Sequence, residues 1–411
     1  MEHDVIVVGA GHAAGELAAR LRQDGYTGSI RLIGAEPHLP YQRPPLSKAY
    51  LAGSIKQDAL LLRPAAFFDK HEIGFTGGHS VTKVDRAEHT LTLDDESKLS
   101  YRTLVFATGG RARRLICRGA ELAGVFYLRT IDDVAHIRPK FVPGAHVVII
   151  GGGYIGLEVA AVATKSGLHV TVLEAAPRVL ARVAGTELSA FYQEAHRQAG
   201  VTIVTDAMVE SIDAKSDDAK AVGFVNLTDG RQFAADFVLA GVGLLPNTEV
   251  AFEAGLKVEN GIWVDEHCRT EDPDVLAIGD CSNHPSIFLG RRARLESVPN
   301  ALEQARVAAQ NICGNSVQYD AVPWFWSDQY DLKLQAVGLS DGYDEVVVRG
   351  NMGTRSFTAF YLRGGIVIAA DTVNRPADFL VAKRFVASKM IIRAENLKDE
   401  KVPLKNLLAG I

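Results

Sequence analysis

The chain has 411 residues, of which 47% are hydrophobic and 23% charged, with a formal net charge of −5. A chain this apolar can bury a core, which excludes disorder as its dominant state, and its length suggests two or three domains. The acidic balance argues against a nucleic-acid binder that relies on bulk positive charge, and no apolar run reaches the roughly 18 residues that a membrane span needs.

The opening MEHDVIVVGAG is wrong for a signal or transit peptide. The four cysteines, Cys117, Cys268, Cys281 and Cys313, are scattered and form no C-x-x-C pair. That usage fits a reducing compartment and neither a dithiol nor a zinc knuckle. The expectation is a cytoplasmic protein with no metal site.

In chain order, Asp4–Val8 is a short run led by β-branched residues, predicted as a strand. It ends in Gly9-Ala10-Gly11-His12-Ala13-Ala14, followed by helical spacing over Gly15–Leu21 and a second strand over Ser29–Ile33. Glu36 stands 27 positions after Gly9. Strand, glycine turn, helix, strand and terminal acid form the βαβ unit that binds a dinucleotide. Tyr101–Ala107 is a further apolar strand, ending in Ala107-Thr108-Gly109-Gly110.

The pattern then returns. His146–Ile150 is a strand, Gly151-Gly152-Gly153-Tyr154-Ile155-Gly156 a turn, Leu157–Ser166 a helix and His169–Leu173 a strand. Glu174 lies 23 positions after Gly151. Gly9 and Gly151 permit the tight turn. Gly11 and Gly153 let a pyrophosphate approach, while Ala14 and Gly156 allow close helix–strand packing. Each helix start then offers free N–H groups and a positive dipole end to phosphate. Phe237–Val242 is another strand, ending in Gly241-Val242-Gly243. Beyond about residue 320, Lys333–Val337, Glu345–Arg349, Ser356–Leu362 and Ile366–Asp371 alternate as antiparallel strands, and Asp378–Met390 reads as a helix.

The expected fold is α/β, with two Rossmann-like dinucleotide-binding domains of glutathione reductase-like type and a small α+β C-terminal domain. Residues 1–108 and 239–320 form the first, 109–238 the second inserted into it, and 321–411 the third.

Five segments carry a closer likeness: VIVVGAGHAAGELAARLR, PYQRPPLSKAYL, VVIIGGGYIGLEVAA, DVLAIGDCSNHP, and ESVPNALEQARVAA with PWFWSDQYDLKLQ. Through them the chain resembles the NADH-dependent, FAD-containing ferredoxin reductases of bacterial oxygenase systems, over essentially its whole length. The resemblance implies an FAD site of Gly9, Gly11, His12, Ala13, Ala14, Glu36, Arg43, Pro44, Lys48, Val81, Ala107, Thr108, Gly109, Arg129, Gly279, Asp280, Ser297, Val298 and Trp326. For NADH it implies Gly151, Gly153, Tyr154, Ile155, Gly156, Glu158, Glu174, Arg182, Gly241, Val242 and Gly243. Lys48 and Glu158 are the implied catalytic pair, since a buried ammonium needs a partner and can polarise a ring that accepts hydride.

Glu174 at the strand end favours NADH, because a carboxylate there accepts from a 2′-hydroxyl and repels a 2′-phosphate. Arg178 and Arg182 are the residues that could oppose it. Gln42–Leu51 holds no cysteine, so electrons do not leave by a dithiol at that segment, and a one-electron acceptor fits. Trp324 and Trp326 are implied at the side that faces the partner.

A two-iron ferredoxin is the expected partner, feeding a haem monooxygenase or a Rieske oxygenase. Arg291, Arg292, Arg294 and Arg306 are its expected docking charges, with Trp326 beside them. Residues 381–411 add seven basic and three acidic side chains. A rubredoxin reductase and a redox-sensing flavoprotein like apoptosis-inducing factor remain open alternatives.

Overall fold

The computed structural model describes residues 2–216 and 218–408. It divides into two compact units, Met1–Gln42 with Gln57–Arg111 and Leu245–Trp324, and Arg43–Lys56 with Ala112–Leu244 and Phe325–Ile411.

The first unit is built on a seven-stranded sheet. Ile73–Gly77, Ile30–Gly34, Glu2–Val8, Lys98–Phe106 and Val275–Ala277 run parallel, and Thr90–Leu93 with Val81–Asp85 extends the sheet antiparallel. Glu2–Val8 therefore lies between its two crossover partners. The crevice outside its carboxyl end is where such sheets take ligands. The helix His12–Gln23 buries Ala14, Leu17, Ala18 and Leu21, one face at helical spacing. They share a core with Ala301, Ala305 and Ala308 of the helix Val298–Ile312. Small residues on both helices permit close packing.

The second unit repeats the plan with a five-stranded parallel sheet, ordered Thr202–Val204, His169–Leu173, His146–Ile150, Phe237–Ala240, Val125–Tyr127. The expected strands His146–Ile150 and His169–Leu173 are present with those bounds. This unit also holds a five-stranded sheet ordered Trp324–Gln329, Leu332–Gly338, Ile366–Val373, Ser356–Arg363, Glu345–Asn351. Leu332–Gly338, Ile366–Val373, Ser356–Arg363 and Glu345–Asn351 pair antiparallel in that order. The helix Pro376–Ala387 packs on it through Phe379, Ala382, Phe385 and Val386.

Both glycine-turn helices start earlier than the apolar spacing predicts. They begin at His12 and Tyr154, directly after Gly11 and Gly153. The first turn of such a helix needs no buried face, so hydrophobic periodicity does not mark it. The last helix also starts earlier than expected, at Pro376, whose fixed φ suits the first helical position. It stops before Lys389, which is left-handed at φ 48°. The strand Trp324–Gln329 was not among the predicted ones. Among the described residues, no helix is long and apolar enough to cross a membrane.

Candidate functional site

The first glycine turn is shaped by close approach. Gly9 has φ 115°, and a Cβ there would stand 2.2 Å from the Ala107 carbonyl oxygen. Its N–H donates to the Ile33 carbonyl at 2.7 Å. No side chain larger than hydrogen fits. The helix then starts at Gly11 with no side-chain cap and no acid in its first turn. A Cβ on Gly11 would meet nothing within 4 Å. Open space over uncapped N–H groups suits an anionic pyrophosphate. His12 begins this helix, and Ala13 and Ala14 are buried.

Around that turn, Glu36 accepts from the Tyr41 hydroxyl at 2.5 Å. The Thr108 hydroxyl donates to the Asn247 carbonyl at 2.6 Å, and the Asn247 amide returns a bond to the Thr108 carbonyl at 3.0 Å. Gly109 follows at φ 58°. The Gly279 N–H donates to the buried Gln304 side chain at 2.7 Å, placing Gly279-Asp280 against the helix Val298–Ile312. Ser297 caps that helix by accepting from the Asn300 N–H. Val81 turns into the core beside Val8 and Ile33.

The second turn has the same construction. Gly151 has φ 109°, and its Cβ would stand 2.4 Å from the Gly241 carbonyl oxygen. A Cβ on Gly156 would stand 2.1 Å from the Gly151 carbonyl oxygen, whereas Gly153 again has nothing within 4 Å. Gly153 opens the helix Tyr154–Lys165 without a side-chain cap or a first-turn acid. Ile155 points outward, 46% exposed.

Glu174 does more than terminate its strand. Its two carboxylate oxygens accept from the Gly152 N–H at 2.7 Å and the Ala176 N–H at 2.8 Å. Arg178 is occupied by its own loop, donating to the carbonyls of Ala181 and Ala184 and to the Ser189 hydroxyl. Arg182 is exposed, and its guanidinium lies beside Gly243, itself at φ 111°. Val242, between Gly241 and Gly243, packs against the core.

The structure brings Lys48 and Glu158 together. The ammonium nitrogen is 2.6 Å from Glu158 Oε2, with Glu158 only 4% exposed. Lys48 follows the short 3₁₀ turn Pro44–Ser47 and also donates to the Pro44 carbonyl at 3.3 Å. Glu158 lies in the second turn of the helix that Gly153 opens. The sequence reading missed two further donors. The Ser47 hydroxyl gives Oε2 a bond at 2.5 Å, and the Ser327 hydroxyl gives Oε1 one at 2.6 Å. Both serines lie in motifs already singled out, PPLSK and WFWSDQ, so a search for polar residues facing inward there would have found them. With three donors the buried carboxylate is compensated.

Several neighbours fix this arrangement within the second unit. The Arg43 guanidinium donates to the Arg129 carbonyl at 2.7 Å. Arg138 covers the Tyr50 ring and donates to the Tyr50 carbonyl. Tyr154 lies 4.6 Å from the Phe325 ring, and the half-buried Trp326 is the next residue along that strand. Burial, with the charges of Asp371 and Glu158 behind it, pushes the Tyr154 hydroxyl well above the usual phenol range.

The expected docking arginines are not equivalent. Arg292 stacks over the Trp263 ring at 3.9 Å and donates to the carbonyls of Val264 and Asn283. Arg294 pairs with Glu296 at 2.7 Å, and Arg306 with Glu303 at 2.7 Å. Arg291 is exposed.

Comparison with known proteins follows these features closely. Residues 3–305 match the family model described as pyridine nucleotide-disulphide oxidoreductase, and residues 324–408 match one described as reductase C-terminal. The chain is 46% identical over 410 residues to the putidaredoxin reductase of Pseudomonas putida, covering 99% of this chain and 97% of that protein. It is 47% identical over 408 residues to the ferredoxin reductase subunit of the 5,5′-dehydrodivanillate O-demethylase of Sphingobium, covering 99% and 98%. Among solved structures, the covalent putidaredoxin reductase–putidaredoxin complex superposes with a TM-score of 0.96 at 45% identity, covering 99% and 98%.

Proposed function

The chain belongs to the pyridine nucleotide-disulphide oxidoreductase family, matched over residues 3–305, and from that premise we propose that it is an FAD-dependent NADH:ferredoxin oxidoreductase. It takes a hydride from NADH and delivers two electrons, one at a time, to two oxidised ferredoxins, releasing NAD⁺ and one proton. Its fold is the glutathione reductase-like α/β type with a small α+β C-terminal part. FAD, when bound, supplies a ring that accepts hydride and releases electrons singly.

In this reading FAD belongs to 1–108 and 239–320, NADH to 109–238, and 321–411 forms the C-terminal domain. Gly9, Gly11, His12, Ala13 and Ala14 receive the FAD pyrophosphate on the uncapped helix start, with Glu36 toward its ribose. Ala107, Thr108, Gly109, Gly279, Asp280, Ser297 and Val298 line the remainder, with Val81 contributing backbone only. Arg43, Pro44, Lys48, Arg129 and Trp326 complete it. Gly151, Gly153, Tyr154, Ile155 and Gly156 receive NADH, with Gly241, Val242 and Gly243 opposite.

Glu174 stands at the strand end with its carboxylate held by two backbone N–H groups, and the occupation of Arg178 by its own loop removes one phosphate partner. Both favour NADH. Lys48 presents a fixed positive charge, and Glu158 holds it in place without quenching its donors. The observation that carries the reading is this buried pair in a chain whose Gln42–Leu51 segment has no cysteine. A lysine stands where a dithiol relay would need thiols, which supports direct one-electron delivery.

A two-iron ferredoxin feeding a haem monooxygenase or Rieske oxygenase is the proposed acceptor. Arg291 is the docking charge best supported by exposure, whereas Arg292 and Arg294 are held by internal partners. The cytoplasm is the proposed location. The test is NADH-driven cytochrome c reduction by the FAD-loaded protein, with and without an added two-iron ferredoxin. A large stimulation is expected. Rapid flavin bleaching by NADH with no stimulation by several ferredoxins would overturn the acceptor assignment, and stimulation by rubredoxin alone would replace it.

A further inference from the structure

The Lys48–Glu158 pair is the end of a longer chain of hydrogen bonds. Ser327 Oγ, which donates to Glu158 Oε1, is itself 3.2 Å from Gln329 Nε2. Gln329 Oε1 is 2.8 Å from His196 Nε2, and His196 Nδ1 is 3.0 Å from the Tyr330 hydroxyl. Glu158, Ser327, Gln329 and His196 are 4%, 0%, 1% and 0% exposed. Tyr330 is half-buried, with the Lys165 ammonium 5.7 Å from its ring centroid. Three elements contribute: the helix Tyr154–Lys165, the strand Trp324–Gln329 and the helix Thr186–Gln198. Ser327 and Gln329 reach the same side because alternate residues of a strand share a face.

The direction of every bond follows from one end. A carboxylate ion-paired to Lys48 can only accept, so the Ser327 hydroxyl must spend its single proton on it. Ser327 Oγ can then only accept from Gln329, which places the amide NH₂ toward Ser327 and the carbonyl toward His196. That carbonyl requires a proton on His196 Nε2. Burial keeps the ring neutral, with its pKa lowered to about 4, so Nδ1 is bare and the Tyr330 hydroxyl donates to it. All the donors therefore point one way, from Tyr330 toward Glu158. Aligned bonds of this kind polarise one another in a low-dielectric interior. The amide of Gln329 blocks any proton passage, so the chain carries polarisation and no proton.

Resting on the reductase reading above, we propose that Ser327, Gln329 and His196 are positioning residues of the hydride-transfer site. Their aligned donors stabilise the Glu158 carboxylate and leave Lys48 free to present its positive charge to the ring that accepts hydride. Without them the Glu158 carboxylate has one donor fewer, concentrates its negative charge on the Lys48 ammonium and weakens the field that Lys48 presents. A buried polar chain is costly compared with apolar residues of the same shape, and packing alone does not call for four polar side chains in series.

The test uses the FAD-loaded protein. Ser327→Ala is expected to slow flavin reduction by NADH about tenfold with the NADH dissociation constant unchanged, since a bond to a charged group is lost. It also lowers the flavin reduction potential. Ser327→Thr restores the hydroxyl and returns the rate to within about twofold. Gln329→Leu cuts the chain one step further out and is expected to slow the reaction about threefold. It also removes the Nε2–H signature of His196, which ¹⁵N NMR reads independently of turnover. Ser327→Ala and Gln329→Leu proteins that carry full FAD and match the native rate and potential would overturn the proposal. So would a native His196 protonated on Nδ1. Loss of ferredoxin stimulation in the native protein would instead sink the reductase reading, and that result is separable because flavin reduction is measured without ferredoxin.

Discussion

Gly153→Ala separates folding from coenzyme binding at a single methyl group. Gly153 sits at φ −79° and ψ −179°, extended backbone that alanine adopts without strain. Its Cβ would meet nothing within 4 Å in the protein. Two small terms act on stability. Reduced freedom of the unfolded chain contributes about 0.4–1 kcal/mol in favour, and alanine is a poorer N-cap than glycine by a comparable amount. The net change is expected to stay within about 1 kcal/mol. If this space receives the NADH pyrophosphate, however, the methyl intrudes on the bound coenzyme. Overpacking by one methyl costs about 1–3 kcal/mol, which weakens NADH binding about 5- to 150-fold. Isothermal titration of the FAD-loaded variant reads the affinity, and its thermal melting reads the fold. FAD content should be unchanged, because the first glycine turn is untouched. Gly11→Ala, at φ −92° and equally open, should do the converse and lower FAD retention. A Gly153→Ala protein that binds NADH like the native one would refute the assignment of this turn.

Other outcomes follow from buried groups. His196 and His284 are both held neutral by burial, with pKa values lowered to about 4. The unfolded chain takes up those protons near pH 6.5, so stability rises with pH between about 4 and 6.5 and is lost as pH falls through that window. Each histidine contributes on the order of 3 kcal/mol over the window, visible as a falling denaturation midpoint that His196→Gln flattens. Asp371 behaves oppositely. Burial lifts its carboxyl to about 7, so the native state holds a proton that the unfolded state has lost, and stability declines as pH rises from about 4 to 7. Asp371→Asn keeps an acceptor for the Tyr361 hydroxyl at 2.7 Å, and should raise the melting temperature above pH 7 but not below pH 4. Arg292→Ala should lower stability by about 1–2 kcal/mol through loss of its Trp263 stack and carbonyl bonds without changing the ferredoxin KM. Arg291→Glu should raise that KM, most at low salt.

The glycine turns, their helices and their flanking strands were legible because every signal lies within about thirty residues and answers to backbone sterics. Gly9 and Gly151 are pinned by carbonyls of Ala107 and Gly241 that no local pattern reveals, yet the turn itself still demanded glycine. The Lys48–Glu158 pair became legible only through the likeness to a family, since the two lie 110 positions apart. Ser47 went unnoticed beside its lysine, and Ser327 and Gln329 follow Trp326 in a segment whose strand was not among the predicted ones. Their meaning depends on which face of the strand turns inward, which the polar pattern of WFWSDQ does not settle. The differences among the expected docking arginines were illegible for the converse reason. Charge counted along a sequence says nothing about whether a guanidinium is spent on Trp263 or on Glu296.

The segment Arg43–Lys56 groups with the second unit although both of its chain neighbours belong to the first. Synthesis on the ribosome must therefore leave Lys48 waiting. Glu158 emerges 110 residues later, and Ser327, the second clamp on that glutamate, emerges 169 residues later still. Neither unit can be produced as one uninterrupted fragment: the first is complete only at Trp324, and the second needs the residues that follow it. Such long sequence separations slow folding and expose unfinished surfaces. A protein wired this way cannot close the Lys48–Glu158–Ser327 cluster until at least 327 residues have been made.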